Sequence, residues 1–316
     1  MRVAIIGAGV LGASTAFHLT LAGAEVVVAD EDHAGRATSA GAGIVSPWSS
    51  GRVDPDWRRI ADAGARYYPA LIQRLAEAGE TETGYCQVGA LSVAVDESEL
   101  DHIEQAVRAR AALAPEAGKI TRLSPVEART LFPPLRPDLG AVHVSGGARV
   151  DGRRLAAALR RAAGRQGTRF RAGRAEPVVH DGRVTGIQLG SEVIVADCVV
   201  VTAGAWAAEL LKPLGFSLAV VPQRGQITHL RLEGVDTEAW PVVLPQSSHY
   251  LLAFGGGRVV VGATRERAPG STIASRRQAR RRCSTRLWQS RPGSVRPLWW
   301  RHALASGPWG PTSSRC

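Results

Sequence analysis

Gly7, Gly9, Gly12 and Asp30 carry the spacing of a dinucleotide site. The run VAIIGAGVLG is a β-branched strand that breaks into G-x-G-x-x-G. A helical pattern follows, with Ala13, Ala16, Phe17 and Leu19 to Leu21 as its small and apolar positions, and Gly23 closes it. A second strand, EVVVAD, ends on Asp30, eighteen residues after Gly12. Gly7 allows the tight strand-to-helix turn. Gly9 lets the backbone approach a pyrophosphate, which rests on the helix N-terminus. Gly12 lets the helix pack close to the strand, and Asp30 can accept hydrogen bonds from a ribose diol. An ordinary strand–helix–strand turn would explain the glycines but not the acid at this distance.

The elements that must position this unit sit in a chain of 316 residues, long enough for two domains or one large α/β enzyme. Composition is 45% apolar and 21% charged, ordinary for a globular protein. No apolar stretch reaches the roughly 18 residues of a membrane span. Arg2 before an apolar run imitates a signal peptide, but the run is Gly-rich and continues into the helix that the fingerprint needs. Cys86, Cys198, Cys283 and Cys316 are far apart and make no metal spacing, so a reduced cytoplasmic setting is expected, with a position peripheral to a membrane left open.

A formal charge of +11 invites a nucleic-acid reading. Its distribution argues against one. All 28 Asp and Glu lie at or before Glu266, where 28 of the 39 Lys and Arg also lie, so the last fifty residues carry the whole excess. No nucleic-acid partner is expected.

After Asp30 the loop EDHAGRATSAGAGIVSPW is rich in small residues, as suits a chain running against a ligand. Residues 55–79 are helical in pattern. GYCQVGALSVAVD alternates as a strand or hairpin, and SELDHIEQAVRARAALA is helical. LSPVEARTLFPPL reads as a short helix capped by Ser124, with Glu127 three residues on and Pro133–Pro134 as its stop. Asp151 caps GRRLAAALRRAAGRQG. The strands TRFRAG, EPVVHDGRVTGIQLG (turning at Asp181–Gly182) and SEVIVAD follow. CVVVTAGAWAAELL is a strand that turns at Ala203–Gly204 into a helix, and residues 223–265 are β in pattern throughout.

Up to Glu266 the chain resembles the FAD-dependent D-amino-acid oxidase family, which includes glycine oxidase, sarcosine oxidase and D-amino-acid dehydrogenase. Four segments carry the resemblance: GAGVLGASTAFHLTLAGAEVVVAD, RATSAGAGIVSP, VVVTAGAWA, and PQRGQI followed by HYLLAFGGGRVVVGATRE. ARVDGRRLAAAL is similar to the family's mid-chain helix start. Their order is the family's, and together they span about five sixths of the chain.

The resemblance implies an α/β fold: a Rossmann-like FAD-binding domain from residues 1–80 and 145–215, interleaved with a substrate domain on a mostly antiparallel sheet from 81–144 and 216–266. It implies FAD as cofactor. Gly7, Gly9, Val10, Leu11 and Gly12 would cradle the pyrophosphate, and Asp30 and Glu31 would hold the adenosine ribose. Thr38, Ser39, Ala42, Gly43 and Ile44 would line the phosphates and the isoalloxazine. Val178 would meet the adenine through its backbone, and Gly204 would let the return strand pass close to the cofactor.

The reaction implied is oxidation of the Cα–N bond of a D-amino acid or small amino acid to an imino acid, then to a 2-oxo acid and ammonia. The alternatives are a glycine- or sarcosine-type amine oxidase and a non-catalytic flavin-binding remnant. Such chemistry needs positioning more than acid–base groups. Tyr250 matches a substrate-facing Tyr of some family members; an edge-strand aromatic is the competing reading. Arg224 reads as a structural charge, and His18 and His249 as surface or packed residues. The electron acceptor is O2 or a quinone of a respiratory chain. SPWSS after the flavin loop points toward D-amino-acid dehydrogenase.

From Arg267 to Cys316 the chain holds eleven Arg, eight Ser, five Pro and four Trp, with no Asp, Glu or Lys and no apolar period. The family's later substrate-clamping Arg and flavin-covering loop are not recognisable there. Three readings stand: a basic extension binding nucleic acid or anionic lipid, a divergent native segment, or out-of-frame translation of a GC-rich gene. Composition, acid content and periodicity all break at one point, which favours the third. A tail of this composition is expected to be disordered; if it is not native, weak FAD retention and little or no turnover are expected.

Overall fold

The computed structural model describes residues 1–33, 35–247, 249–266 and, as backbone, 313–315. Strand β1 (Arg2–Ile6) runs into helix α1 (Val10–Leu21) and returns as β2 (Glu25–Asp30). A one-turn α2 (Ala37–Ala40), a short β3 (Ile44–Val45) and the long α3 (Pro55–Glu77) follow. Next come β4 (Cys86–Gln87), β5 (Ala90–Ala94), α4 (Glu97–Ala111), β6 (Ile120–Leu123), α5 (Pro125–Leu131), β7 (Gly140–Val144) and β8 (Ala148–Arg149). The chain then forms α6 (Gly152–Arg165), β9 (Arg169–Ala172), β10 (Ala175–His180), β11 (Arg183–Leu189), β12 (Glu192–Val195), β13 (Cys198–Val201) and α7 (Ala207–Leu211). It continues as β14 (Arg224–Arg231), β15 (Val242–Pro245), β16 (Tyr250–Phe254) and β17 (Arg258–Glu266), with β18 at Ser313–Arg315.

Four strands form a parallel sheet in the order β13-β1-β2-β9. β1 and β2 are apolar at nearly every position because both faces are covered. Val3, Ile5, Val26 and Val28 join the cluster that holds Ala13, Ala16 and Phe17 of α1 and Leu155, Leu159 and Ala162 of α6. Ala4, Ile6, Val27 and Ala29 pack on the other face against Ala175, Ile187, Leu189 and Ile194, from the antiparallel sheet β10-β11-β12.

The large sheet runs β18-β14-β17-β16-β15-β5-β7-β6, antiparallel except for β15 against β5. On one face Leu91, Val93, Ala141 and Val243 pack with Phe132 and Trp240. On the other, Ile227, Leu252, Phe254 and Val260 meet Ala42 and Ile44 from the loop after α2. The small sheet β3-β8-β4 lies next in the chain path between the two larger sheets.

Two expectations need correction. GYCQVGALSVAVD is not a hairpin: β4 pairs with β8, whereas β5 pairs with β15 and β7. The backbone N–H groups of Val88 and Gly89 both donate to Gly147 O, and Gly89 turns at φ +80°, which sends β5 into a different sheet. In the tail expected to be disordered, Ser313–Arg315 pairs antiparallel with Gln226–Thr228. Backbone pairing needs no side-chain period, so composition could not foretell it. The rest of that tail lies outside the described residues. Among the described residues no helix is long and apolar enough to cross a membrane.

Candidate functional site

β13, β1 and β2 are parallel, so their carboxyl ends open on one edge, where ligands of such sheets bind. Gly7 leaves β1 at φ +108°, and a Cβ there would lie 2.6 Å from Thr202 O. A Cβ on Gly12 would lie 1.9 Å from Gly7 O and 2.6 Å from Thr202 Oγ1. Thr202 Oγ1 donates to Gly7 O at 2.8 Å and lies 3.1 Å from Ile6 O, tying β13 to the loop. The N-cap of α1 is Gly9, with no side-chain cap and no acid in the first turn. No acid of the helix's own first turn therefore opposes an anionic pyrophosphate at this N-terminus.

The loop after β2 closes on that end. Val10 N donates to Thr38 Oγ1 at 2.9 Å. Asp30 Oδ2 accepts from Ala8 N at 2.5 Å and Oδ1 from Asp32 N at 2.8 Å, with Arg36 Nη1 3.6 Å away. Gly7, Gly9, Val10, Gly12, Asp30 and Thr38 thus converge at one place. Leu11 is 65% exposed on the outside of α1. Ser39 Oγ accepts from Arg36 Nε, and Glu31 pairs with His33 at 3.2 Å. Val178 sits at a bulge in β10 opposite Gly186, with Thr185 Oγ1 3.5 Å from its carbonyl. Gly204 has φ +56°, but a Cβ there would touch nothing within 4 Å, so the backbone conformation is what calls for glycine.

Gly43 turns at φ +86°, where a Cβ would lie 1.8 Å from Val150 O, and Val150 N donates to Gly43 O at 2.8 Å. That contact steers Ala42 and Ile44 onto the apolar face of the large sheet, against which Tyr250 also packs. Tyr250 lies across from Gly262 in the neighbouring strand, and its ring covers the space a Gly262 side chain would fill. His18 is packed, accepting or donating to Tyr67 Oη at 2.5 Å, and His249 is buried.

The structure adds groups that spacing did not reveal. A pocket beside Thr38 and Ala42 is lined by Asp151, Arg153, His229 and Arg258. Arg258 Nη2 donates to Asp151 Oδ2 at 2.7 Å, and its guanidinium lies 3.9 Å above the Phe254 ring. Burial holds His229 below the usual imidazole range, and the Arg258 and Arg153 charges add to that. Burial also lowers Arg258. Asp151 was legible only as a helix cap. The sole further signal was Arg258 at the head of a strand behind three glycines, which does not name a partner.

The residues present fit FAD at its pyrophosphate end: a strand-to-helix turn at Gly7 and Gly12 too tight for any Cβ, a helix N-terminus with no acid in its first turn, and a carboxylate at the end of β2. A family model described as FAD dependent oxidoreductase, DAO, matches residues 2–304. The chain is 49% identical over 266 residues to an uncharacterized oxidoreductase of Bacillus subtilis, YurR, covering 84% of this chain and 72% of that one. It is 34% identical to glycine oxidase of Pseudomonas aeruginosa, covering 84% of this chain and 71% of the other. Among solved structures, iminodiacetate oxidase from Chelativorans sp. BNC1 superposes with TM-score 0.88 at 48% identity, over 99% of this chain and 83% of that one. Glycine oxidase from Geobacillus kaustophilus superposes with TM-score 0.74 at 25% identity, over 90% and 77%. The chain belongs to the DAO family and is an FAD-dependent oxidoreductase.

Proposed function

We propose that this enzyme oxidises the C–N bond of a small amino acid or amino-acid-like amine to an imine, which water hydrolyses. The observation that carries this reading is the 48% identity to iminodiacetate oxidase over 99% of the chain. The 34% identity to a glycine oxidase supports it. FAD, when bound, supplies the acceptor for the hydride of the substrate C–H bond. The chain's own residues bind and orient. Gly7, Gly9, Val10 and Gly12 hold the pyrophosphate, with Leu11 contributing through its backbone and not its outward side chain. Asp30 and Glu31 hold the adenosine ribose, Val178 meets the adenine through its backbone, and Gly204 lets the return strand pass close to the cofactor. Thr38, Ser39, Ala42, Gly43 and Ile44 line the phosphates and the isoalloxazine.

Tyr250 is assigned to the substrate carboxylate, because it packs against the same apolar face as Ala42 and Ile44. Its hydroxyl donates to the carboxylate, while the apolar wall excludes water from the reacting carbon. The cofactor part is drawn from residues 1–80 and 145–215 and the substrate part from 81–144 and 216–266. The electron acceptor is O2 or a quinone.

A second reading, a flavin-binding remnant with little turnover, is favoured by one observation. All 28 acidic residues lie at or before Glu266, so the sequence changes character there.

Two measurements on the purified full chain decide between them. One is flavin absorbance at about 375 and 450 nm. The other is turnover of glycine, sarcosine, iminodiacetate and D-alanine, followed both by peroxide and by dye reduction. Flavin with turnover of one of these supports the amine-oxidising reading. Flavin without turnover of any supports the remnant.

A further inference from the structure

His33 and Trp206 stack face to face, with ring centroids 4.2 Å apart and planes 5° from parallel. His33 follows the carboxyl end of β2, and Trp206 follows that of β13. In the sheet these two strands flank β1 on opposite sides. A contact between residues just beyond β2 and β13 therefore spans the carboxyl end of β1, where Gly7 begins the dinucleotide loop. Glu31 lies 3.2 Å from the imidazole of His33 and orients the ring from the β2 side. On the other side Trp206 N donates to Ala203 O at 3.1 Å, in a short 3-10 turn that places the indole two residues after Gly204. His33 is 41% exposed at its side chain, so this is a surface stack over an edge and not part of a packed core.

We propose that Trp206 and His33 form an aromatic strap across the adenosine-diphosphate half of the cofactor site, with Glu31 as the residue that positions His33. The proposal rests on the Gly7–Asp30 crevice being the adenosine-diphosphate end. Two flat side chains from opposite banks of a crevice cover a ligand at small entropic cost, since each has only two side-chain torsions to fix. Both rings offer a π face. The strap carries no base-specific hydrogen bond, so it recognises the shape and π surface of an adenosine moiety more than its edge.

The test is calorimetric titration of the full chain with ADP and with FAD, for the native protein and the variants Trp206→Ala, His33→Ala and Trp206→Phe. Trp206→Ala and His33→Ala are each expected to weaken ADP and FAD by the same factor, about three- to tenfold. Trp206→Phe is expected to restore most of the affinity, which loss of a merely structural residue would not predict. His33→Ala removes an exposed side chain, so it reads the strap even if Trp206→Ala lowers stability. Unchanged ADP affinity in His33→Ala, or FAD weakened with ADP unaffected, overturns the strap while leaving the cofactor site intact. Failure of the native chain to bind ADP overturns the placement of the crevice and the strap with it.

Discussion

Arg258 and Asp151, 107 residues apart in sequence, meet in an ion pair of 2.7 Å that joins the first residue of β17 to the N-cap of α6. Asp151 Oδ1 accepts the backbone N–H of Arg153 and of Arg154, at 3.1 and 3.3 Å, while Oδ2 takes the guanidinium. One carboxylate thus caps α6, which shares a core with α1, and grips the large sheet. Gly152 beside it lets the chain pass Thr38, whose carbonyl would lie 2.9 Å from any Cβ there.

Asp151→Asn keeps a good N-cap but loses the charge that Arg258 requires. The expected loss is about 1–3 kcal/mol by denaturant titration, with Asp151→Ala losing more because the cap goes too. A variant as stable as the native chain would show that the pair contributes nothing net.

The same group sets a pH dependence. Burial alone would raise the Asp151 carboxyl, but the Arg154 N–H, the Arg258 charge and the remaining hydrogen bonds outweigh it and hold it below the usual carboxylate range. Because the folded value is the lower one, its contribution is present above the unfolded value of about 3.9 and is lost as pH falls through the folded value. Stability measured from pH 6 downward should therefore fall more steeply for the native chain than for Asp151→Asn below about pH 4. Parallel curves would exclude Asp151 as the source.

Gly43→Ala places a Cβ 1.8 Å from Val150 O at φ +86°. The loop must shift, at a cost of about 1–3 kcal/mol, and FAD retention should drop with it. Gly51, where a Cβ meets nothing within 4 Å, provides the control, and Gly51→Ala should leave both unchanged. Flavin-to-protein ratio after gel filtration reads the effect.

A methyl group on Gly262 would lie 2.5 Å from the Tyr250 hydroxyl. Gly262→Ala should displace the ring and raise KM in the manner of Tyr250→Ala, with FAD affinity held. Tyr250→Phe removes only the hydroxyl, and a raised KM is the outcome expected from the proposed hydrogen bond to the substrate carboxylate. If Tyr250→Phe and the native chain share one KM, Tyr250 serves packing alone.

Two guanidiniums lie over the Phe254 ring, Arg149 at 4.8 Å and Arg258 at 3.9 Å from its centroid. Arg149 is itself 2% exposed and paired with Glu238. Phe254→Leu keeps apolar bulk but removes the π face, and should cost about 1–3 kcal/mol in thermal or denaturant unfolding. A smaller loss would mean that the Arg149–Glu238 and Arg258–Asp151 pairs hold without the ring.

Whatever depends on neighbours within about thirty residues was legible in the amino-acid order. Gly7, Gly9, Gly12 and Asp30 form a strand–turn–helix–strand unit whose geometry follows from local backbone sterics. The Ser124–Glu127 capping box and the Asp151 cap are likewise set by hydrogen bonds over three residues. The segment motifs carried the family and its cofactor. Tertiary structure alone decided which distant groups meet. The split of β4 and β5 depends on Gly147, about sixty residues away in the chain. The Asp151–Arg258 pair and the His33–Trp206 stack depend on strand order, which brings together loops that no local period connects. A spacing rule describes one stretch of backbone, whereas these contacts exist only once separate stretches have been packed against each other.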